Sequence, residues 1–103
     1  MKGLRIEEVT DEGLTVLKLQ GEFEGMAVLQ AREKFFEYLR QSRNMAMDFT
    51  QIEYIDSAGV ALLIDMTKEA MEKKIKFGLM NVKDPVRKIL YLTKVDKLLT
   101  FIE

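Results

Sequence analysis

A chain of 103 residues with 48% hydrophobic and 32% charged side chains has the size and composition of one folded domain, residues 1–103. It contains no cysteine and no histidine, which excludes disulfides, thiolate nucleophiles, zinc–thiolate sites, serine–histidine dyads and imidazole metal ligands. Sixteen basic residues against seventeen acidic ones leave a net charge of −1, without the basic footprint that sequence-independent nucleic-acid binding requires.

Leu4, Ile6 and Val9 open an extended segment, closed by a turn at Asp11-Glu12-Gly13. Residues 14–20 then read as a Val- and Leu-rich strand that Gly21 ends, and the two segments pair as a hairpin. The period changes next. Val28, Ala31, Phe35 and Leu39, with Leu29 and Phe36 beside them, follow the buried stripe of a helix, and Arg32, Glu33, Lys34, Glu37 and Arg40 cover its other side. Residues 45–49 form a short apolar run, read as a central strand. Residues 50–56 follow as a loop whose Ile52, Tyr54 and Ile55 are apolar enough to pack inward.

Helical spacing returns from Ser57, with Val60, Leu63, Ile64, Thr67 and Met71 facing inward and Ala61 and Ala70 as small packing residues. Residues 75–80 supply another strand, weakened by Gly78. Asp84-Pro85 is a helix start, with Asp as cap and Pro at the first helical position; Val86, Ile89, Leu90 and Thr93 give that helix its inner face. Residues 98–102 make a last strand. Met45, Met47, Met66, Met71 and Met80 are core fillers, and Lys73-Lys74-Ile75-Lys76 is a solvated turn leading into a strand.

The element order is therefore β-β-α-β-α-β-α-β, an α/β fold with a mixed sheet and helices packed on it. Right-handed crossovers make the strands ending near Gln20, Phe49 and Met80 parallel. Their loops at residues 21–25, 50–57 and 81–84 then emerge at one edge, where open α/β sheets bind ligands and partners. No apolar run approaches the roughly 20 residues that cross a bilayer, and no signal-peptide pattern opens the chain, so a cytoplasmic location without membrane insertion is expected.

Asp56-Ser57-Ala58-Gly59 stands on that edge, where the strand-like run gives way to a helix. Serine is a favoured helix cap, and a hydroxyl at a helix N-terminus also sits where backbone N–H groups and the helix dipole favour negative charge. Ser57 reads on these grounds as a cap or as a phosphate acceptor. Asp56 reads as a carboxylate that positions the hydroxyl or that accepts local N–H bonds. Gly59 gives a partner close approach or relieves crowding in the first helical turn. Glu22-Phe23-Glu24 is a partner-facing acidic loop with an aromatic anchor, or Phe23 closes the core between two solvated glutamates. Asp48, Asp56 and Ser57 are the residues left for hydrolysis or phosphotransfer, but nothing activates the serine and no glycine-rich nucleotide loop is present, so no enzyme is expected.

The run from Met47 to Leu63, with Asp48 in its strand and Asp56-Ser57-Ala58-Gly59 opening its helix, resembles the signature of STAS domains, in particular the bacterial anti-sigma-factor antagonists. Leu19-Gln20-Gly21-Glu22 and Asp84-Pro85-Val86-Arg87-Lys88-Ile89-Leu90 extend the resemblance over nearly the whole chain. It implies a single STAS-like domain that needs no cofactor or metal. It also implies that Ser57 is phosphorylated by a partner that is both anti-sigma factor and serine kinase. The unphosphorylated form would hold that partner and free a sigma factor; a phosphatase would reset the phosphorylated form. Glu22, Phe23, Glu24, Asp56, Ser57, Ala58 and Gly59 would face the partner. Three features depart from the family pattern: Glu24 stands where many antagonists carry aspartate, Ala61 replaces a frequent glycine, and a closing C-terminal helix is not expected within a chain that stops at Glu103. The same resemblance is compatible with a STAS accessory subunit of an ABC-type lipid transporter.

Overall fold

The computed structural model describes residues 3–41 and 44–102. The hairpin is present as β1 (Leu4–Asp11) and β2 (Leu14–Gly21), followed by α1 (Gly25–Gln41), β3 (Asn44–Gln51), α2 (Ser57–Lys73), β4 (Lys76–Met80), α3 (Asp84–Leu92), a 3-10 turn at Val95–Lys97 and β5 (Phe101–Ile102). The five strands lie in the order β1-β2-β3-β4-β5. β1 pairs antiparallel with β2, and every later pair is parallel. Each crossover advances the sheet by one strand, so right-handed connections place all three helices over one face. Leu17, Met47, Leu79 and Phe101 stand in register across β2 to β5. Leu17, Met47 and Leu79 are buried with Leu19, Met45 and Phe49, while Lys18 and Gln20 alternate outward.

Several local expectations need correction. β3 continues to Gln51, so the loop is shorter than residues 50–56. Within it Ile52 and Ile55 are fully buried, but Tyr54 is 54% exposed, because the turn between two inward residues directs it to solvent. Leu29 and Met71 are exposed. The buried face of α2 instead runs through Val60, Leu62, Leu63, Met66 and Ala70, because this helix packs on α1 as well as on the sheet. Met80 is only half-buried. The N-cap of α3 is Lys83, which makes no side-chain cap bond, and Asp84 lies inside the first turn.

The final strand is two residues, not five. Lys94 adopts a left-handed conformation (φ 61°) that turns the chain into the 3-10 segment. That turn buries Val95, and Leu99 follows it inward, before β5 begins. Gly78 does not weaken β4. A Cβ there would meet Ile102 Cδ1 at 2.8 Å, so glycine leaves room for the Ile102 side chain of the neighbouring β5.

Candidate functional site

The parallel strands deliver three loops to one edge, and two of them are tied together at the start of α2. Phe23, after β2, forms a parallel bridge with Ile55, after β3. Phe23 is fully buried, its ring 5.1 Å from that of Phe49 and 6.1 Å from that of Phe35. Gly59 packs beneath the same residues. A Cβ at Gly59 would lie 2.6 Å from the Phe23 carbonyl oxygen and 2.6 Å from Ile55 Cγ1. Phe23 and Gly59 therefore form the floor of this edge, and neither offers a surface to a partner.

Asp56 makes the second tie. It is the N-cap of α2, and its Oδ1 accepts the Gly59 N–H at 3.0 Å. Its Oδ2 accepts the N–H of Gly25, the first residue of α1, at 2.9 Å. One carboxylate thus satisfies a donor at the start of two helices, where donors would otherwise lack partners. The capping role considered for Ser57 belongs to Asp56. Ser57 is the first helical residue, exposed, and makes no side-chain hydrogen bond with another described residue. Its hydroxyl stands at the positive end of a 17-residue helix. Ala58 beside it is half-buried.

Glu22 and Glu24 flank this point. Both are half-buried. Loss of solvent, a hydrogen bond shared with Glu22 and the negative charges of Glu22 and Asp56 together raise the Glu24 carboxyl above its ordinary 4.5. A shallow groove runs between them, lined by Glu22, Glu24, Gly25, Met26, Ala27 and Asp56. A larger groove of about 440 Å³ continues past Glu53, Tyr54 and Lys83, where Lys83 Nζ meets Glu53 at 3.4 Å. The exposed ring of Tyr54 lines this edge; its place between Ile52 and Ile55, three residues apart, is the sequence signal for an outward position.

Asp48 does other work. Its Oδ1 accepts the Thr50 N–H at 2.9 Å, the Thr50 hydroxyl, and the Asn81 side-chain amide at 3.1 Å. Partial burial pushes this carboxyl upward, but these hydrogen bonds and the charge of Lys18 outweigh it, and the group sits below its ordinary 3.8. Asp48 thereby links the loops after β3 and β4. Its bonds and those of Asp56 share no atom, so Asp48, Asp56 and Ser57 do not form a hydrogen-bonded constellation. Among the described residues no group of three or more carboxylates is gathered to hold a metal ion, and no helix is long and apolar enough to cross a membrane.

A family model described as STAS domain matches residues 5–103. An anti-sigma factor antagonist from Mycobacterium paratuberculosis superposes with a TM-score of 0.84 at 18% identity, covering 96% of this chain and 85% of the other. The anti-sigma factor antagonist SpoIIAA superposes in its unphosphorylated form with a TM-score of 0.76 at 24% identity, over 98% of this chain and 89% of its own. The phosphorylated form of this protein, described as a Bacillus cell fate determinant, gives 0.71 at 23% identity, over 98% and 92%. A sulfate transporter family protein from Wolinella succinogenes gives 0.74 at 15% identity, over 90% and 80%. At these identities the likeness is one of fold.

Proposed function

The chain belongs to the STAS domain family, and on that footing we propose that it is an anti-sigma-factor antagonist switched by phosphorylation of Ser57. Unphosphorylated, it holds an anti-sigma factor that is also a serine kinase and so frees a sigma factor; phosphorylated, it lets that partner go until a phosphatase resets it. The observation that carries this reading is an exposed serine hydroxyl at the start of α2 whose capping task has been taken over by Asp56. Such a hydroxyl can be modified without dismantling the helix start.

A phosphate on Ser57 adds about −1.5 to −2 charges at neutral pH. It would stand beside Asp56, Glu22 and Glu24. The helix N-terminus offsets part of that charge within the domain, so the fold tolerates it. A partner packed on Ala58 and the two glutamates would instead bury an unmatched charge, at a cost of several kcal/mol. The switch therefore acts on binding. Glu22, Glu24, Asp56, Ser57 and Ala58 form the contact surface, with Phe23 and Gly59 supporting it from below. Incubation with the cognate kinase and ATP, followed by mapping of the phosphate, tests the assignment: one phosphate on Ser57 is expected, and a phosphate elsewhere contradicts it.

A second reading is supported by the likeness to the sulfate transporter family protein. In it the same edge is a fixed docking point for a transporter subunit, and Ser57 is a contact with no switching role. Co-purification with an ATPase subunit, unaffected by Ser57→Asp, is its distinguishing outcome.

A further inference from the structure

The two ends of the sheet differ in chemistry. The edge that carries Ser57 also carries Glu22, Glu24, Glu53 and Asp56. The opposite edge, where the parallel strands begin, gathers the ends of α2 and α3. Lys73 and Lys74 close α2, Lys76 opens β4, and Lys94 and Lys97 follow α3; all five are exposed. Lys73 lies 3.8 Å from Glu69, and the other four form no ion pair with a described residue. Glu72 and Asp96 are interspersed among them, and the hairpin turn with Asp11 and Glu12 lies at this same end on the flank of β1 and β2, where Leu14 stands in register with Asn44 and Lys76.

Large apolar side chains project among these lysines. Met71 is 72% exposed, Leu92 73% and Leu98 57%, and Tyr91 is exposed beside Leu92. Met71 and Leu98 line one groove of about 430 Å³ with Ile75, Phe77 and Ile102, and Lys76 lines it too. α3 already has a complete inner face in Val86 and Leu90, and α2 in its own buried stripe. The exposed residues are thus not needed by the core.

We propose that this end of the molecule docks on the surface of an anionic lipid bilayer. Leu92, Leu98 and Met71 would enter the apolar boundary while Lys74, Lys76, Lys94 and Lys97 meet the headgroups. Aliphatic side chains flanked by long, flexible lysine stems suit a fluid apolar layer beneath a negative surface, which demands no matching shape. The Lys73-Lys74-Ile75-Lys76 segment, read from sequence as a solvated turn, then supplies part of the contact. Because Ser57 lies at the other end of the parallel strands, docking leaves it accessible to protein partners.

Co-sedimentation of the full chain with vesicles tests this. Binding is expected with vesicles of phosphatidylglycerol and phosphatidylcholine, absent with phosphatidylcholine alone, and weakened by salt. Each lysine changed to glutamine lowers partitioning about fivefold, so Lys74→Gln, Lys76→Gln and Lys97→Gln together lower it about a hundredfold. Leu92→Ser with Leu98→Ser weakens it as well, while Ser57→Asp leaves it unchanged. Urea unfolding of each variant verifies that the domain is intact. Failure to sediment with the phosphatidylglycerol vesicles overturns the proposal. So does equal sedimentation of the triple lysine variant, or capture of a polyglutamate peptide by a chain that ignores the vesicles, which would mark an acidic protein as the occupant.

Discussion

Asp56 and Gly25 stand 31 residues apart in the chain, yet an Oδ2 of the one accepts the backbone N–H of the other at 2.9 Å. The same carboxylate caps α2 through the Gly59 N–H. The starts of α1 and α2, and with them the edge that carries Ser57, are therefore held in place by a single side chain. Asp56→Ala leaves both donors without this acceptor and is expected to cost about 2 kcal/mol of stability. Urea unfolding measures it. An unchanged midpoint would show that water serves these N–H groups as well as the carboxylate does.

Ser57→Ala is expected to change stability by no more than about 0.5 kcal/mol, because the residue is exposed and does not cap the helix. The same variant abolishes phosphorylation and retains partner binding. A loss of more than about 1 kcal/mol on unfolding would return the capping role to Ser57.

Gly59→Ala should destabilise the domain although alanine is the better helix former by about 1 kcal/mol. The added Cβ meets the Phe23 carbonyl oxygen, which is backbone, at 2.6 Å. Forcing that contact apart costs about 1–3 kcal/mol beyond the gain in propensity. Thermal unfolding reads the sign: a raised Tm would mean that the loop after β2 can move away freely.

Two carboxylates bend the pH profile in opposite directions. Asp48 is held below its ordinary 3.8 in the folded chain. Its contribution is present above that value and is lost as pH falls through the lower folded value. Asp48→Asn should flatten the acid limb of the stability profile below pH 3.8. Glu24 is raised above 4.5, so its effect has the other sign. The folded state favours its protonated form, and stability is lost as pH rises from 4.5 through the folded value. Glu24→Gln should restore stability above that range. Urea midpoints across pH measure both, and parallel profiles for wild type and variants would contradict the assignments.

The element order, the parallel strands and the edge that bears Ser57 are legible because the hydrophobic period changes sharply, from alternation around Leu17 and Leu19 to helical spacing at Val28, Phe35 and Leu39. Crossover handedness then leaves few topologies open. The site's finer chemistry was less legible. Whether Phe23 faces a partner or the core depends on Phe49, Phe35 and the missing side chain of Gly59, none of which is near it in sequence except through the fold. The cap at α2 could be given to Asp56 or Ser57 from composition alone, since both are favoured there; the second bond to Gly25 decides it. Tyr54 and Ile55 both read as able to pack inward, and the path of the short loop sends one out and the other in. The end of the chain reads from sequence as a longer strand than the two residues of β5, because Val95 and Leu99 are buried around a 3-10 turn that leaves no period to detect.

The central claim is that a phosphate on Ser57 controls binding and not folding. Titration of the purified anti-sigma kinase with unmodified and with Ser57-phosphorylated chain tests it most directly. The account predicts a loss of about a thousandfold in affinity on phosphorylation, with the unfolding midpoint of the two forms nearly the same. Equal affinity for both forms would contradict it.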